Sequence, residues 1–302
     1  MQLPSQHPER SFDHARARMV RIGAALLVGA LCLQTAIAAQ PTTQPTTPPT
    51  TQPALARDLS GVIASGTLRV ALTHFDLPAF HWHEGDAFAG PEILLAQEIG
   101  RAMGVKVEFV DDATSFNGVV DSIVAGRADI GISKLSQTYT RLMRVRFSDP
   151  YITLRHALLF QRAAVATVAN GRAPDEVLRK FHGRIGVIRG SSYVEFGRRN
   201  FPDAILVEMA DWTVANEALL AGKVDALYRD EFEIRRVLKN SPALNVRLGA
   251  AIVTDQRDTL SVAICDTCAK LQQFINHHLG RNVTAFTMQD LLNSDLRDRP
   301  VK

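Results

Sequence analysis

Apolar residues after Gly66 occur in two spacings, which predict strands and helices in turn. Continuous apolar runs predict buried strands at Thr67–Leu72, Lys106–Val110 and Asp129–Ile132. Between these strands, apolar residues recur at helical spacing over Glu92–Met103 and Phe116–Val124, each shortly before a glycine. A strand, helix, strand, helix, strand order is typical of an open, mainly parallel sheet covered by helices.

The same alternation occurs a second time along the chain, which predicts a second α/β lobe. The helices predicted there are Pro174–Phe181, Ser192–Asn200 and Thr213–Ala221. The strands predicted there are Arg184–Ile188, Ala204–Met209 and Ala226–Tyr228. The last predicted elements are a strand at Leu260–Ile264 and helices at Ala269–Leu279 and Met288–Leu292. They are expected to return to the first lobe and complete its sheet.

The amino-terminal segment is predicted to be a signal peptide rather than part of the fold. Three arginines precede an apolar run at Ile22–Leu33, and Ala36–Ala38 supplies small residues for a signal peptidase. A run of about 12 apolar residues is too short to span a membrane, which needs about 20. Leu31 before Cys32 does not fit a lipid-attachment site. Residues 1–38 therefore predict export to the periplasm.

Residues 39–56 are predicted to form a disordered linker, because Pro41–Pro53 contains only Pro, Thr and Gln and has no apolar surface to bury. The chain carries 34 basic and 31 acidic residues. Residues 1–38 hold four of the arginines together with Glu9 and Asp13, so 30 basic and 29 acidic residues remain. A nearly neutral exported protein predicts no nucleic-acid partner. We also expect a monomer without a cofactor or a metal.

Cys265 and Cys268 are the cysteines that remain after removal of the signal peptide. In an oxidising compartment this close pair is expected to form a local disulfide. Two alternatives stay open, namely free thiols and a redox or metal site. A thioredoxin-like site would need the motif after the first strand of its own fold. A zinc site would need a second ligand pair, for which His277 and His278 are the nearby candidates.

Polar residues follow several predicted strands, and open α/β sheets bind ligands outside the carboxyl ends of their strands. The third strand is followed by Ser133, Lys134, Ser136, Thr138 as a helix N-cap, and Arg141. Ser191 and Ser192 follow a glycine turn at a helix start, and Asp230 and Glu231 follow the Tyr228 strand. Arginine binds a carboxylate bidentately, helix N-termini add donors, and an aspartate can hold an ammonium group. The pattern predicts a zwitterion or small carboxylate as ligand.

Structural roles for these residues are the alternative. Arg141 could be a solvated helix residue, Ser191 and Ser192 plain N-caps, and Asp230 the cap of the helix that begins at Glu231.

A set of motifs in fixed order resembles the family 3 extracellular solute-binding proteins, the periplasmic receptors of polar amino acid ABC importers. The motifs are TLRVAL, FNGVVDSIVAGRADIGIS, SQTYTR, FSDPY, GRIGVIRGSS and GKVDALYRD, within about Gly66 to Asn293. The resemblance implies a type II periplasmic binding fold, with two α/β lobes joined by a two-strand hinge. It implies lobe 1 at residues 57–157 and 252–302 and lobe 2 at residues 158–251. Ligand capture between the lobes and delivery to an inner-membrane permease would follow.

The resemblance also implies residue roles by position. Arg141 matches the arginine that binds the α-carboxylate of the ligand, and Asp230 matches the acid that holds its α-ammonium. The residues implied to assist are Ser136, Ser191 or Ser192, and the aromatic residues Phe80 and Phe116.

Two departures from the family pattern bear on the ligand. The family usually has Gly-Phe-Asp where this chain has Gly90-Pro91-Glu92. Lys134 stands where the family commonly has Gly or Ser. A lysine in the cleft would repel an ammonium unless Asp230 or Glu231 offsets it, and it could instead bind a second carboxylate. An acidic or otherwise anionic ligand is therefore our hypothesis, and the alternative is that Lys134 points away from the cleft.

Two other functions are open at this point. A periplasmic sensor would have the same sequence features. A dehydratase of prephenate-like compounds on the same fold would need a general acid in the cleft, for which Glu231 and Glu195 are the candidates.

Overall fold

The computed structural model describes residues 56–169 and 180–282, together with Gly171, Val177 and Leu291. The predicted signal peptide lies outside the described residues, as do nearly all of the predicted linker and of the helices predicted at residues 174–181 and 288–292. Within the described part of the chain, no helix is both long and apolar enough to cross a bilayer.

Most strands of the described residues belong to one mixed sheet. The strands are β1 (Thr67–Thr73), β2 (Trp82–Glu84), β3 (Ala87–Ala89), β4 (Lys106–Ala113), β5 (Ile130–Gly131), β6 (Val145–Gln161), β7 (Arg184–Ile188), β8 (Ile205–Met209), β9 (Ala226–Asp230) and β10 (Leu248–Cys265). Eight of them form a sheet in the order β4-β1-β5-β10-β6-β9-β7-β8, and β2 and β3 form a separate hairpin. The sheet is parallel at both ends and antiparallel around β10 and β6.

The helices pack beside these strands. They are α1 (Leu59–Ser65), α2 (Pro91–Met103), α3 (Phe116–Val124), α4 (Tyr139–Leu142), α5 (Arg162–Ala169), α6 (Ser192–Asn200), α7 (Trp212–Leu220), α8 (Glu231–Asn240) and α9 (Ala269–Asn282), with a short 3-10 helix at Pro242–Val246. Local chemistry sets their ends. The hydroxyl of Ser115 accepts a hydrogen bond from the N–H of Gly118 and caps α3, whereas Gly104 ends α2 in a left-handed conformation with φ of 72°.

The long strands β6 and β10 connect the two ends of the sheet. They pair antiparallel from Val145 opposite Cys265 to Gln161 opposite Leu248. The register shifts between Val253 and Arg257, where the ladder is interrupted. Because β10 also pairs with β5, the late strand returns to the first part of the sheet, as the sequence predicted.

The buried hydrophobic side chains of the described residues form separate clusters. One contains Val70, Ile99 and Val119, and others are built around Tyr228 and Leu227. The exact lobe boundaries stay a prediction.

The pair Cys265 and Cys268 is joined in a disulfide with its Cα atoms 5.3 Å apart. The bond lies between the end of β10 and the start of α9.

Candidate functional site

A small cavity lies where the segment after β5 meets α3, α6, β9 and β10. Its lining comprises Leu77, Phe116, Lys134, Ser136, Ser191, Ser192, Tyr193, Trp212, Asp230, Glu233 and Asp258. The cavity volume is about 30 Å³, which holds little more than one or two water-sized groups. A whole amino acid is larger than this. The elements around the cavity therefore have to separate to admit one.

Lys134 faces this cavity, which decides between the two orientations that the sequence left open. Its Nζ atom lies 2.8 Å from Oδ2 of Asp230 and 3.1 Å from Oε1 of Glu233. Burial acts to lower the pKa of Lys134, but the charges of these two carboxylates outweigh it and raise the pKa. Lys134 is thus a charged, neutralised group. Two carboxylates therefore already contact the ammonium group that could have bound a second ligand carboxylate.

Aromatic rings and further cations enclose this ion pair. The Nζ atom of Lys134 lies 4.8 Å from the ring centre of Phe80 and 5.5 Å from that of Phe232. Glu233 also contacts Arg229 at 2.8 Å and Arg236 at 2.9 Å. Although burial opposes ionisation, these cations hold the pKa of Glu233 well below its usual range.

Glu92 holds the backbone of Lys134 in a strained conformation. Lys134 has φ of 50°, which lies in the left-handed region. Its N–H donates to Oε1 of Glu92 at 2.7 Å, and the Tyr151 hydroxyl donates to the same carboxylate. Nδ1 of His81 lies 2.8 Å from Oε2 of Glu92. The two positions at which the sequence differs from the family pattern, Gly90-Pro91-Glu92 and Lys134, are therefore in contact, because Glu92 binds the backbone of Lys134.

Arg141 is buried beside the cavity but does not belong to its lining. Its guanidinium donates to Oδ1 of Asn117 and to the carbonyl oxygen of Ser136, both at 3.1 Å, and more weakly to that of Gly190 at 3.4 Å. All three acceptors are neutral. Burial lowers the pKa of Arg141 to about 10. Its exposure of 3% excludes the alternative of a solvated helix residue.

The serines join the two predicted lobes. Oγ of Ser136 lies 2.8 Å from Oγ of Ser192. Ser191 occupies the N-cap position of α6, yet its hydroxyl donates to the carbonyl oxygen of Ile188 at 2.6 Å instead of capping. Nearby, the carboxylate of Glu195 accepts hydrogen bonds from the N–H groups at the start of α4, at 2.8 and 3.1 Å.

Asp230 has the capping role that the sequence allowed, and its other carboxylate oxygen is occupied by Lys134. Its Oδ1 atom caps α8 by accepting from the N–H of Glu233 at 3.1 Å, while Oδ2 pairs with Lys134. Glu231, which the sequence suggested as an offset for Lys134, instead forms an ion pair with Arg155 at 2.7 Å. The sequence named Asp230 or Glu231 as the offset, and Asp230 supplies it together with Glu233, which α8 places at the cavity.

Asp258 is a cavity residue that sequence reasoning missed. It is 1% exposed, and its Oδ2 atom accepts from the Tyr193 hydroxyl at 3.0 Å. Its Oδ1 atom has no hydrogen-bond partner among the described residues. Burial raises the pKa of Asp258 to about 6, although the nearby hydroxyls of Ser136 and Tyr193 act to lower it.

Of the predicted ligand-binding residues, six line the cavity: Phe116, Lys134, Ser136, Ser191, Ser192 and Asp230. Phe80 and Arg141 lie behind the lining. Glu233 could have been found from its position one helical turn after Asp230. Asp258, Tyr193 and Trp212 carry no local signal.

Comparison with known proteins supports a single family. A model of the bacterial extracellular solute-binding proteins, family 3, matches residues 68–261, so the resemblance is confirmed. The chain is 25% identical over 189 residues to the cyclohexadienyl dehydratase of Pseudomonas aeruginosa, covering 62% of this chain and 67% of that protein. It is also 25% identical over 225 residues to the L-cystine-binding protein TcyJ of Escherichia coli, covering 71% of this chain and 81% of that protein.

Solved structures are similar over most of the chain. The substrate-binding protein AbpA of an amino acid ABC transporter from Streptococcus pneumoniae, bound to L-arginine, matches with a TM-score of 0.63 and 24% identity. The match covers 79% of this chain and 98% of that structure. The predicted fold class, the type II periplasmic binding fold, is confirmed.

Proposed function

Because this chain belongs to the bacterial extracellular solute-binding proteins of family 3, we propose that it captures a small amino-acid-like or carboxylate ligand in the periplasm and delivers it to an ABC importer. The observation that carries this proposal is the position of Arg141. Its guanidinium is buried beside the cavity and contacts only neutral acceptors among the described residues. A ligand carboxylate is the natural partner for such a group.

Opening and closing of the two predicted lobes would regulate the access of a ligand to Arg141. In the described arrangement, one hydrogen bond of Arg141 goes to the carbonyl oxygen of Gly190, and Ser136 contacts Ser192. Both contacts join the predicted lobes. Separating the lobes along β6 and β10 breaks these contacts and frees donors for a ligand. Re-closure with ligand then shifts the equilibrium toward a form that a permease recognises.

The relatives support an amino-acid ligand class. They include an L-cystine-binding protein and an amino acid ABC transporter substrate-binding protein whose structure was solved with L-arginine bound. The acidic ligand suggested by Lys134 stays a prediction, and the ion pairs of that lysine with Asp230 and Glu233 weigh against it.

Isothermal titration calorimetry of the purified mature protein tests the proposal. The panel should contain the twenty common L-amino acids, L-cystine, L-ornithine and a set of mono- and dicarboxylates. We expect a saturable one-to-one binding event with at least one of them. Mass spectrometry of small molecules released by denaturing the freshly purified protein extends the panel. No binding in the panel and no copurified solute would contradict the proposal.

A dehydratase is the second candidate function, because one relative carries that name. The general acids suggested by the sequence are poorly suited to it. Despite partial burial, the ion pair with Arg155 lowers the pKa of Glu231, and hydrogen bonds from α4 lower that of Glu195. Both are therefore ionised at neutral pH. Turnover of a prephenate-like substrate, measured by product absorbance, would reverse this ranking. A role as a sensor is tested by whether a permease or a receptor captures the liganded protein.

A further inference from the structure

The carboxylate that the resemblance assigns to the ligand already holds an ammonium group from the protein. Nζ of Lys134 lies 2.8 Å from Asp230 and is chemically the same kind of group as the α-ammonium of an amino acid. Side-chain exposures of 8% for Lys134 and 4% for Asp230 exclude a solvated surface pair. A ligand ammonium placed at Asp230 would have to displace Lys134 or lie beside a like charge. Both outcomes cost free energy.

Another acid of the cavity, Asp258, has a carboxylate oxygen that can still accept a hydrogen bond. Asp258 lines the cavity, and its buried Oδ1 atom is unpartnered within the described part of the chain. An unpaired buried carboxylate oxygen is costly, and a donor from a ligand would remove that cost. The remaining oxygen is held by the Tyr193 hydroxyl, so the carboxylate is oriented before any ligand arrives.

We propose that Asp258, and not Asp230, accepts the ammonium group of an amino-acid ligand, an assignment that rests on the proposed function. Ion pairs among the buried groups support it. The buried cations Lys134 and Arg229 pair with Asp230 and Glu233, and the partly buried Arg236 also pairs with Glu233.

Arg141 and Asp258 remain outside that group of ion pairs. Neither has an ion-pair partner among the described residues, and each is within electrostatic range of the other. One buried cation and one buried anion beside the same cavity are complementary to a zwitterion. Arg141 would bind the carboxylate end and Asp258 the ammonium end.

Calorimetry with a matched ligand pair tests the assignment. The tightest amino acid from the panel is compared with the same molecule lacking its α-amino group, in the wild type, in Asp258→Asn and in Asp230→Asn. The exposed Asp266→Asn is the control. We expect the wild type to prefer the amino acid by about 30-fold or more, since leaving a buried charge unpaired costs that much. The preference should collapse in Asp258→Asn and persist in Asp266→Asn.

A second measurement does not depend on any variant folding. Titration of wild-type protein near pH 6 in two buffers of different ionisation enthalpy counts protons exchanged on binding. An ammonium needs an ionised Asp258, so binding should release about half a proton at that pH. The charged or titratable groups of the described residues that interact electrostatically with Asp258 include Arg141, Lys134, Asp230, Tyr151, Tyr193 and Tyr228.

Three results would overturn the assignment. The first is an Asp258→Asn protein that keeps the wild-type preference. The second is uptake of protons on binding. The third is a wild type that binds the deaminated carboxylate as tightly as the amino acid, which leaves the proposed function standing. Failure of every panel ligand to bind wild type overturns both the function and the assignment.

Discussion

Nζ of Lys134 lies 2.8 Å from Oδ2 of Asp230, and this contact joins the segment after β5 to the start of α8. A family of receptors for zwitterions would be expected to keep that carboxylate open. Here the protein supplies the cation itself. We expect this internal ion pair to affect both the stability of the fold and the ligand selectivity of the site.

Replacing Lys134 by methionine should destabilise the protein. The change keeps most of the side-chain volume but leaves Asp230 and Glu233 buried with fewer positive charges nearby. Removing one partner of a buried ion pair typically costs about 3–5 kcal/mol. Urea unfolding followed by circular dichroism measures the change. The exposed Lys223→Met should be close to neutral, and an unchanged free energy of unfolding for Lys134→Met would show that its ion pair is dispensable.

Replacing Arg141 by alanine should abolish most ligand affinity while the fold persists. The guanidinium is the buried cation assigned to the ligand carboxylate, and its present acceptors are neutral groups that water can serve. A lost charge-assisted bidentate contact corresponds to about 100-fold in affinity or more. Calorimetry gives the affinity and circular dichroism the fold. The matched control is Arg144→Ala, an exposed arginine on the surface of the same segment. Normal binding by Arg141→Ala would remove the carboxylate assignment.

Asp258 should make the protein less stable as the pH rises. Burial raises its pKa in the folded state to about 6 from 3.8, so the folded protein binds this proton more tightly than the unfolded chain does. Stability from this group is present below about pH 4 and is lost as the pH rises through about 6. The size is on the order of 3 kcal/mol.

Asp258→Asn removes this pH-dependent cost. The variant should melt at a higher temperature than wild type at pH 7.5, and the difference should shrink at pH 4.5. Thermal unfolding at several pH values checks the sign. A variant that is destabilised equally at both pH values would contradict the raised pKa.

Glu195 should hold the closed arrangement together. Its carboxylate in α6 accepts hydrogen bonds from the N–H groups of Tyr139 and Thr140 at the start of α4. Glu195→Ala should increase the radius of gyration of the ligand-free protein in small-angle X-ray scattering. Glu208→Ala is the control, because Glu208 pairs with Arg198 within the same predicted lobe. Identical scattering of the Glu195→Ala and control proteins would exclude this contribution.

Sequence periodicity was sufficient to predict the helices and strands that bury one consistent face. The structure has α3 at the predicted bounds, Phe116–Val124, and β1 extends only one residue beyond its prediction. The apolar pattern did not predict the strand β6, because Pro150, Arg155 and His156 interrupt it. Its length depends on pairing with β10, which lies about a hundred residues away along the chain.

The sequence predicted most residues of the candidate site, but it did not predict the contacts between them. Motif positions placed Ser136, Ser192 and Asp230 at one cavity. The direction of Lys134 depends on a left-handed backbone held by Glu92 from another helix, and no local pattern encodes that contact. Asp258 lies within a long strand beside the register shift, where alternation gives no indication of which face is buried.

The register shift between Val253 and Arg257 gives the molecule a built-in reporter position. A backbone ladder is less stiff where its register shifts, and the β6–β10 pair has one such shift next to Asp258 and further ones between Leu260 and Ala263. An environment-sensitive dye on a cysteine placed at the partly buried Gln256 would therefore report bending of the β6–β10 strand pair as a change in fluorescence. The same position would turn the protein into an optical sensor for its own ligand.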